Sequence, residues 1–188
     1  MTLGGDAMTA TYAIPVQAYT PTARMLHWVT AALVLTIIPV GIAMNYVEGP
    51  KQDLLFHIHR SLGVTLIPII LYRLFYRLTH KPLPLPADID PMQRFVAEAV
   101  HWLLYAALVV QPIIGWIATS AYRAQVLYFW TFELPAIWPE NRAFSEQLFV
   151  VHKWLGFAIA ALLCAHIAGA LFHYFIRKDG VLQRMING

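Results

Sequence analysis

Residues 151–166 read VHKWLGFAIAALLCAH, two histidines fourteen residues apart with an almost wholly apolar run between them. In a helix that interval rises about 21 Å and returns to within roughly 40° of the starting direction, so both imidazoles leave one face at two depths. The run is apolar enough to cross a bilayer, where ionisable groups are costly and call for a function. Working outward, the whole chain has this character. Of its 188 residues 59% are hydrophobic, 13% aromatic and only 12% charged, far from the average of a soluble domain. Four apolar stretches, at about 25–46, 54–78, 95–120 and 147–176, are each long enough for a hydrocarbon core of roughly 30 Å. The expected fold is an all-α integral membrane protein, a bundle of four transmembrane helices in one domain over 21–188, preceded by a loose tail over 1–20 that carries no motif.

The connections fit this division. EGPKQD (48–53) is a tight Gly-Pro turn, and THKPLPLPADIDP (79–91) is too rich in proline to continue a helix. RAQVLYFWTFELPAIWPENR (123–142) mixes aromatics, prolines and charges, which suits a segment at the membrane interface and a lid over one end. Lys51, Arg60, Arg123, Arg142 and Lys153 fall at one end of the spans; Arg24, Arg73, Arg77, Lys81, Arg94, Arg177, Lys178 and Arg184 fall at the other. The richer end marks the cytoplasm, so both termini are expected inside a bacterial inner (plasma) membrane. The start of the chain lacks the basic and apolar run of a secretory signal. The single Cys164 excludes an internal disulfide, a CxxCH haem attachment and an iron–sulfur site built from this chain alone, and is expected to serve packing. No glycine-rich phosphate loop and no basic run that would suit a nucleic acid is present.

Eight histidines carry the chemistry: His27, His57, His59, His80, His101, His152, His166 and His173. One histidine in a membrane helix is ordinarily a polar group bonded to a neighbouring helix. The set is harder to explain that way. With the topology above, His59 and His152 share an outer layer, and His166 shares an inner layer with His27 or His101. Two layers of two imidazoles from different helices is what two bis-histidine b-type haems require, whereas zinc or copper would want more ligands converging. Gly63 and Gly156 follow the outer histidines by one turn, where a missing side chain leaves room for a macrocycle edge. Arg73, fourteen residues after His59, faces the same way at the inner depth and suits a propionate. Gly41 and Gly115 follow His27 and His101 by the same interval, so spacing leaves those two histidines equal as inner ligands. His57 points about 200° from His59 and is set aside, with His80, as interfacial.

The motifs MLHWV (25–29), HRSLGV (59–64) followed by RLFYRL (73–78), VQPIIGW (110–116), HKWLG (152–156) and CAHIAGALFHYFIRKDGVLQRM (164–185) resemble the bacterial cytochrome b561 family, four-helix di-haem proteins that include superoxide oxidase. The resemblance covers about 21–186. It implies two haem b groups whose iron is held by His27 and His166 on the inner side and by His59 and His152 on the outer, with His101 a non-ligand. It also implies oxidation of superoxide with electrons passed to ubiquinone, and a quinone contact at His173, with Arg73, Arg77 and Lys178 as companions. Superoxide is an anion that crosses lipid poorly, while ubiquinone resides in the membrane lipid, so a path for electrons between the two faces suits both. Outer cations balance Glu48, Asp53, Glu133, Glu140 and Glu146 in number, so any attraction for superoxide is local, and Arg60 and Lys153, each next to an outer histidine, are the candidates. Two other readings stand beside this one: an electron-transfer subunit serving a redox partner such as a dehydrogenase or hydrogenase, and a histidine-bearing structural or channel protein.

Overall fold

The computed structural model describes residues 18–186. Four long helices follow one another: α1 (Pro21–Ala43), α2 (Pro50–Thr79), α3 (Pro91–Tyr122) and α4 (Arg142–Phe172), the last continued by a π-helical turn, His173–Arg177, and a short α5 (Gln183–Ile186). All four are long and apolar enough to cross a membrane. α1 packs on α2, α2 on α3 and, most extensively, α3 on α4.

The helices begin up to five residues before the apolar stretches do, for a local reason. Pro21, Pro50 and Pro91 each occupy the first turn, where proline costs no hydrogen bond. Thr20 Oγ1 accepts from Ala23 N at 3.3 Å, Asp90 Oδ1 from Met92 N at 2.8 Å, and Asn141 Oδ1 from Phe144 N at 3.0 Å, so three of the four starts are capped by side chains. The fourth start is set by Gly49, whose φ of 62° turns the chain into α2.

The core lies at mid-depth and has a simple register. Val34, Leu66, Leu108 and Ile159, one from each helix, are all buried in one cluster. Each stands seven residues, two turns, from a residue of either histidine layer: Val34 between His27 and Gly41, Leu66 between His59 and Arg73, Leu108 between His101 and Gly115, Ile159 between His152 and His166. The chain direction alternates from helix to helix, so the four sets align into an inner layer, an apolar middle and an outer layer. Large apolar side chains such as Leu35, Leu71, Phe75, Val110 and Phe157 are exposed on the outside, the pattern of a bundle whose solvent is lipid. Cys164 belongs with them: it is exposed on α4 rather than packed inside.

The connection between α3 and α4 is the main departure from the expected interfacial segment. It contains a small antiparallel hairpin, β1 (Leu127–Tyr128) with β2 (Phe132–Glu133). Its tip takes positive φ at Phe129 (42°) and Trp130 (60°), where no glycine or asparagine advertises a turn. Tertiary contacts hold it there. Ser61 Oγ, fully buried in α2, accepts from Phe129 N at 2.9 Å, the Thr65 and Tyr128 hydroxyls are 3.0 Å apart, and Arg60 Nη1 donates to Gln125 O at 3.2 Å. The hairpin thus seats on the outer end of α2.

Candidate functional site

The outer layer brings His59 of α2 and His152 of α4 together, with ring centroids 6.0 Å apart and planes at 81°. Each ring is held by its Nδ1, which donates to a backbone carbonyl of the adjacent helix: His59 to Ile37 O of α1 and His152 to Gln111 O of α3, both at 3.2 Å. Those bonds fix the tautomer that leaves Nε2 free of its proton and able to bind a metal. The approach is possible only because of glycine. A Cβ on Gly41 would stand 2.7 Å from His59 Cε1, and one on Gly115 2.9 Å from His152 Cε1. In both cases the glycine lies four residues after the accepting carbonyl, one turn on, so α1 and α3 offer the same cradle to two different imidazoles. Gln111 Nε2 also donates to His152 O at 2.9 Å, tying α3 to α4 at this depth. A cavity of about 110 Å³ lies here, bordered by His59, His152, Gly63, Gly115, Arg60 and Val126.

The inner layer brings three imidazoles together. The ring of His166 is 6.1 Å from that of His27 and 5.0 Å from that of His101, the latter edge-on at 82°. Two imidazoles that bind one metal ion from opposite sides, with metal–nitrogen bonds of about 2 Å, have centroids about 6 Å apart. The His59–His152 and His27–His166 pairs both meet that spacing; His101 is too close for it. His101 Nδ1 donates to Ala97 O of its own helix at 2.6 Å. Arg73 Nη2 lies 2.8 Å from His27 Nδ1 and its guanidinium stands over the Tyr105 ring, at 5.3 Å from the centroid. Arg77 also faces Tyr105, at 5.5 Å. Among the described residues no three His, Cys, Asp or Glu side chains converge as ligands for a single metal ion; the outer layer presents two imidazoles and the inner layer three, of which His27 and His166 have the 6 Å spacing.

A family of haem proteins fits such pairs, and residues 18–188 match the family described as prokaryotic cytochrome b561. The chain belongs to that family. A cytochrome b561 is a membrane electron-transfer protein that carries b-type haem. Among curated relatives, cytochrome b561 homolog 2 of Escherichia coli (strain K12) is 30% identical over 165 residues, 86% of this chain and 87% of that protein. The probable superoxide oxidase CybB of Yersinia pestis is 24% identical over 161 residues, 86% and 91% of the two chains. Cytochrome b561 homolog 1 of Escherichia coli (strain K12) is 25% identical over 170 residues, 89% and 96%.

The residues of this cytochrome b561 fit a planar macrocycle at the outer pair in two further respects. Gly63 has nothing within 4 Å of where a Cβ would stand, which is open space one turn from His59. Both Nδ1 bonds at the outer pair preset the rings as ligands. At Gly156 a Cβ would stand 3.3 Å from Gln111 Nε2, so the missing side chain also leaves room for that amide. His57 turns away from the layer to lie 5.9 Å from the Trp130 ring, and His80 stacks on Tyr76 at 3.9 Å beyond the end of α2. Lys153 is exposed. His173 is in the π-helical turn, with its Nδ1 2.6 Å from Asp179 Oδ2. The sequence reading missed Gln111 and Asp179. Gln111 lies one turn before Gly115 in VQPIIGW, and Asp179 in the closing RKDG, past the end of the π-helical turn; helical spacing identifies no partner for either.

Proposed function

We propose that the chain is a di-haem b oxidoreductase that takes electrons from superoxide at one face of a bacterial inner membrane and delivers them to ubiquinone within it. The observation that carries this is the recurrence of the 6 Å imidazole pair at both ends of one helix, α4, through His152 and His166. In this reading His59 and His152 hold the outer iron, and His27 and His166 the inner. Bound haem supplies reversible one-electron chemistry at a potential set by its axial ligands and surroundings.

The chain's own residues then have separable tasks. The carbonyls of Ile37 and Gln111 keep the outer imidazoles in the Nδ1–H tautomer and in a fixed plane. Arg73 and Arg77, stacked over Tyr105, offer cations for inner propionates. Arg60, leashed to Gln125 O beside the outer cavity, and the exposed Lys153 draw superoxide to that end. His173, one further step along α4 past His166, contacts the quinone and supplies a proton as it is reduced. The cationic bias of the loops puts both termini, and with them His173, in or at the cytoplasm. Superoxide as donor has support in one relative, a probable superoxide oxidase at 24% identity.

The test is superoxide-driven reduction of ubiquinone by the purified protein, with haem counted per chain. Two haems are expected, His152→Ala losing one and His166→Ala the other, with dioxygen beyond the one per two superoxide of spontaneous dismutation formed only while quinone is present. A single haem affected by both substitutions refutes the two-layer assignment. Two haems without superoxide oxidation, in a protein that co-purifies with a dehydrogenase, favour the subunit reading instead.

A further inference from the structure

Past the inner layer α4 changes its winding. The turn His173–Arg177 is π-helical, Lys178 N bonding back to His173 O at 2.8 Å, and Lys178 then takes a left-handed conformation with φ of 54°. Single π turns are rare and recur at functional sites. Here the wide turn and the reversal after it bring the chain back on itself, so that Asp179 Oδ2 meets His173 Nδ1 at 2.6 Å. Both side chains are largely buried, 14% and 11% exposed. Asp179 is itself fixed from two further directions: Arg177 Nε bonds the same oxygen at 3.1 Å, and Val181 N donates to Oδ1 at 3.2 Å. Arg177 also reaches Asp88 of the α2–α3 connection at 2.7 Å.

A carboxylate so surrounded has one consequence for an imidazole. It can only accept, so Nδ1 must carry the proton, and Nε2, on the far side of the ring, becomes the nitrogen that exchanges protons with anything bound there. We propose that Asp179 is a positioning residue that fixes the tautomer and aim of His173 for proton delivery to bound quinone. This rests on the quinone contact assigned to His173 above. Reduction of one quinone to quinol takes two electrons, released as two superoxide anions become two dioxygen molecules, and two protons. For one of these, His173 first takes a proton from solvent at Nε2, passes that proton to a quinone oxygen, and returns to the neutral Nδ1–H form held by Asp179. Asp179 stays a carboxylate throughout.

The competing explanation is mechanical: Asp179 merely clamps the carboxy-terminal segment through Arg177. Five variants separate the two. In Asp179→Asn, with both haem spectra retained, reoxidation of the reduced protein by a short-chain ubiquinone should slow by about 10- to 100-fold, the range found when the carboxylate or carbonyl partner of a metal-bound histidine is removed. Asp179→Glu should restore most of the rate. Asp88→Asn, which loosens the clamp without touching His173, should stay near the parent. Nitrogen NMR on histidine-labelled reduced protein, the His173 signal identified by its loss in His173→Gln, should show the Nδ1–H form in the parent and its depletion in Asp179→Asn. Asp179→Asn reoxidising at the parent rate while His173→Ala is slow overturns the inference and leaves the quinone contact standing. His173→Ala at the parent rate overturns the contact, and the inference with it. Equal slowing in Asp88→Asn and Asp179→Asn, or slowing with the tautomer unchanged, assigns Asp179 to the clamp and overturns the inference.

Discussion

Gly41→Ala is the sharpest single test of the outer cradle. The new methyl would stand 2.7 Å from His59 Cε1, and ordinary contact begins at 3.4 Å, so the ring must retreat by about 0.7 Å or α1 must move off α2. A metal–ligand distance tolerates only about 0.2 Å, so a ring displaced that far either loses its iron or keeps it under strain. Overpacking of this kind costs about 1–3 kcal/mol. Charged to haem binding, that corresponds to an outer-site affinity about 5- to 150-fold weaker. Gly115→Ala, at 2.9 Å from His152 Cε1, should act in the same direction with a shift of about 0.5 Å, from 2.9 to 3.4 Å. Gly169→Ala is the control for the outer centre, since nothing lies within 4 Å of its Cβ position and it stands seventeen residues past His152 on α4. The assay is haem titration of apoprotein with reduced-minus-oxidised spectra to resolve the two centres. If Gly41→Ala binds both haems with the affinity of the parent, the cradle is not what positions His59 and the reasoning fails.

Three further outcomes follow from the same geometry. His27→Ala should abolish the inner haem while His101→Ala keeps both, because only His27 has the 6 Å spacing from His166; spectra showing the reverse exchange their roles. Arg60→Glu with Lys153→Glu should lower the superoxide rate and flatten its salt dependence, screening acting over about 10 Å at 0.1 M, while reduction by an uncharged donor changes little; a rate that survives with its salt dependence intact moves the entry route elsewhere. Burial raises the Asp179 pKa, but bonds from His173, Val181 N and Arg177 outweigh it and hold the carboxyl below its ordinary range. A depressed folded-state value stabilises above the unfolded value, about 3.9, and that contribution is lost as pH falls through the folded value. Thermal unfolding of the parent should therefore lose more stability than Asp179→Asn between neutral pH and pH 3; parallel curves would contradict it.

Much of this was legible in the chain because membrane helices impose one period. The four apolar stretches imply the four-helix bundle, and fourteen-residue intervals in α2 and α4, taken with the alternating chain direction, put His59 and His152 at one depth. Intervals within a helix do not say which face meets which neighbour. Gly41 and Gly115 stood out by spacing from inner histidines, yet their function is to admit outer ones from adjacent helices. The hairpin left no signal, since Phe129 and Trp130 are held at positive φ by contacts with α2 rather than by their own preferences. Asp179 was invisible for a similar reason: only the π turn and the left-handed Lys178 fold it back on His173.

The layer of Val34, Leu66, Leu108 and Ile159 has an electrical consequence. It is apolar, buried and without a titratable side chain of its own, so it offers protons no foothold between the two histidine layers. Electrons entering at the outer end and protons taken up near His173 would reach the quinone from opposite sides of that layer. Each turnover then moves negative charge across the membrane uncompensated, and an existing potential, negative on the side of His173, opposes it by about 2.3 kcal/mol per charge for every 100 mV traversed. A protein that disposes of superoxide in this way would also charge the membrane that holds it.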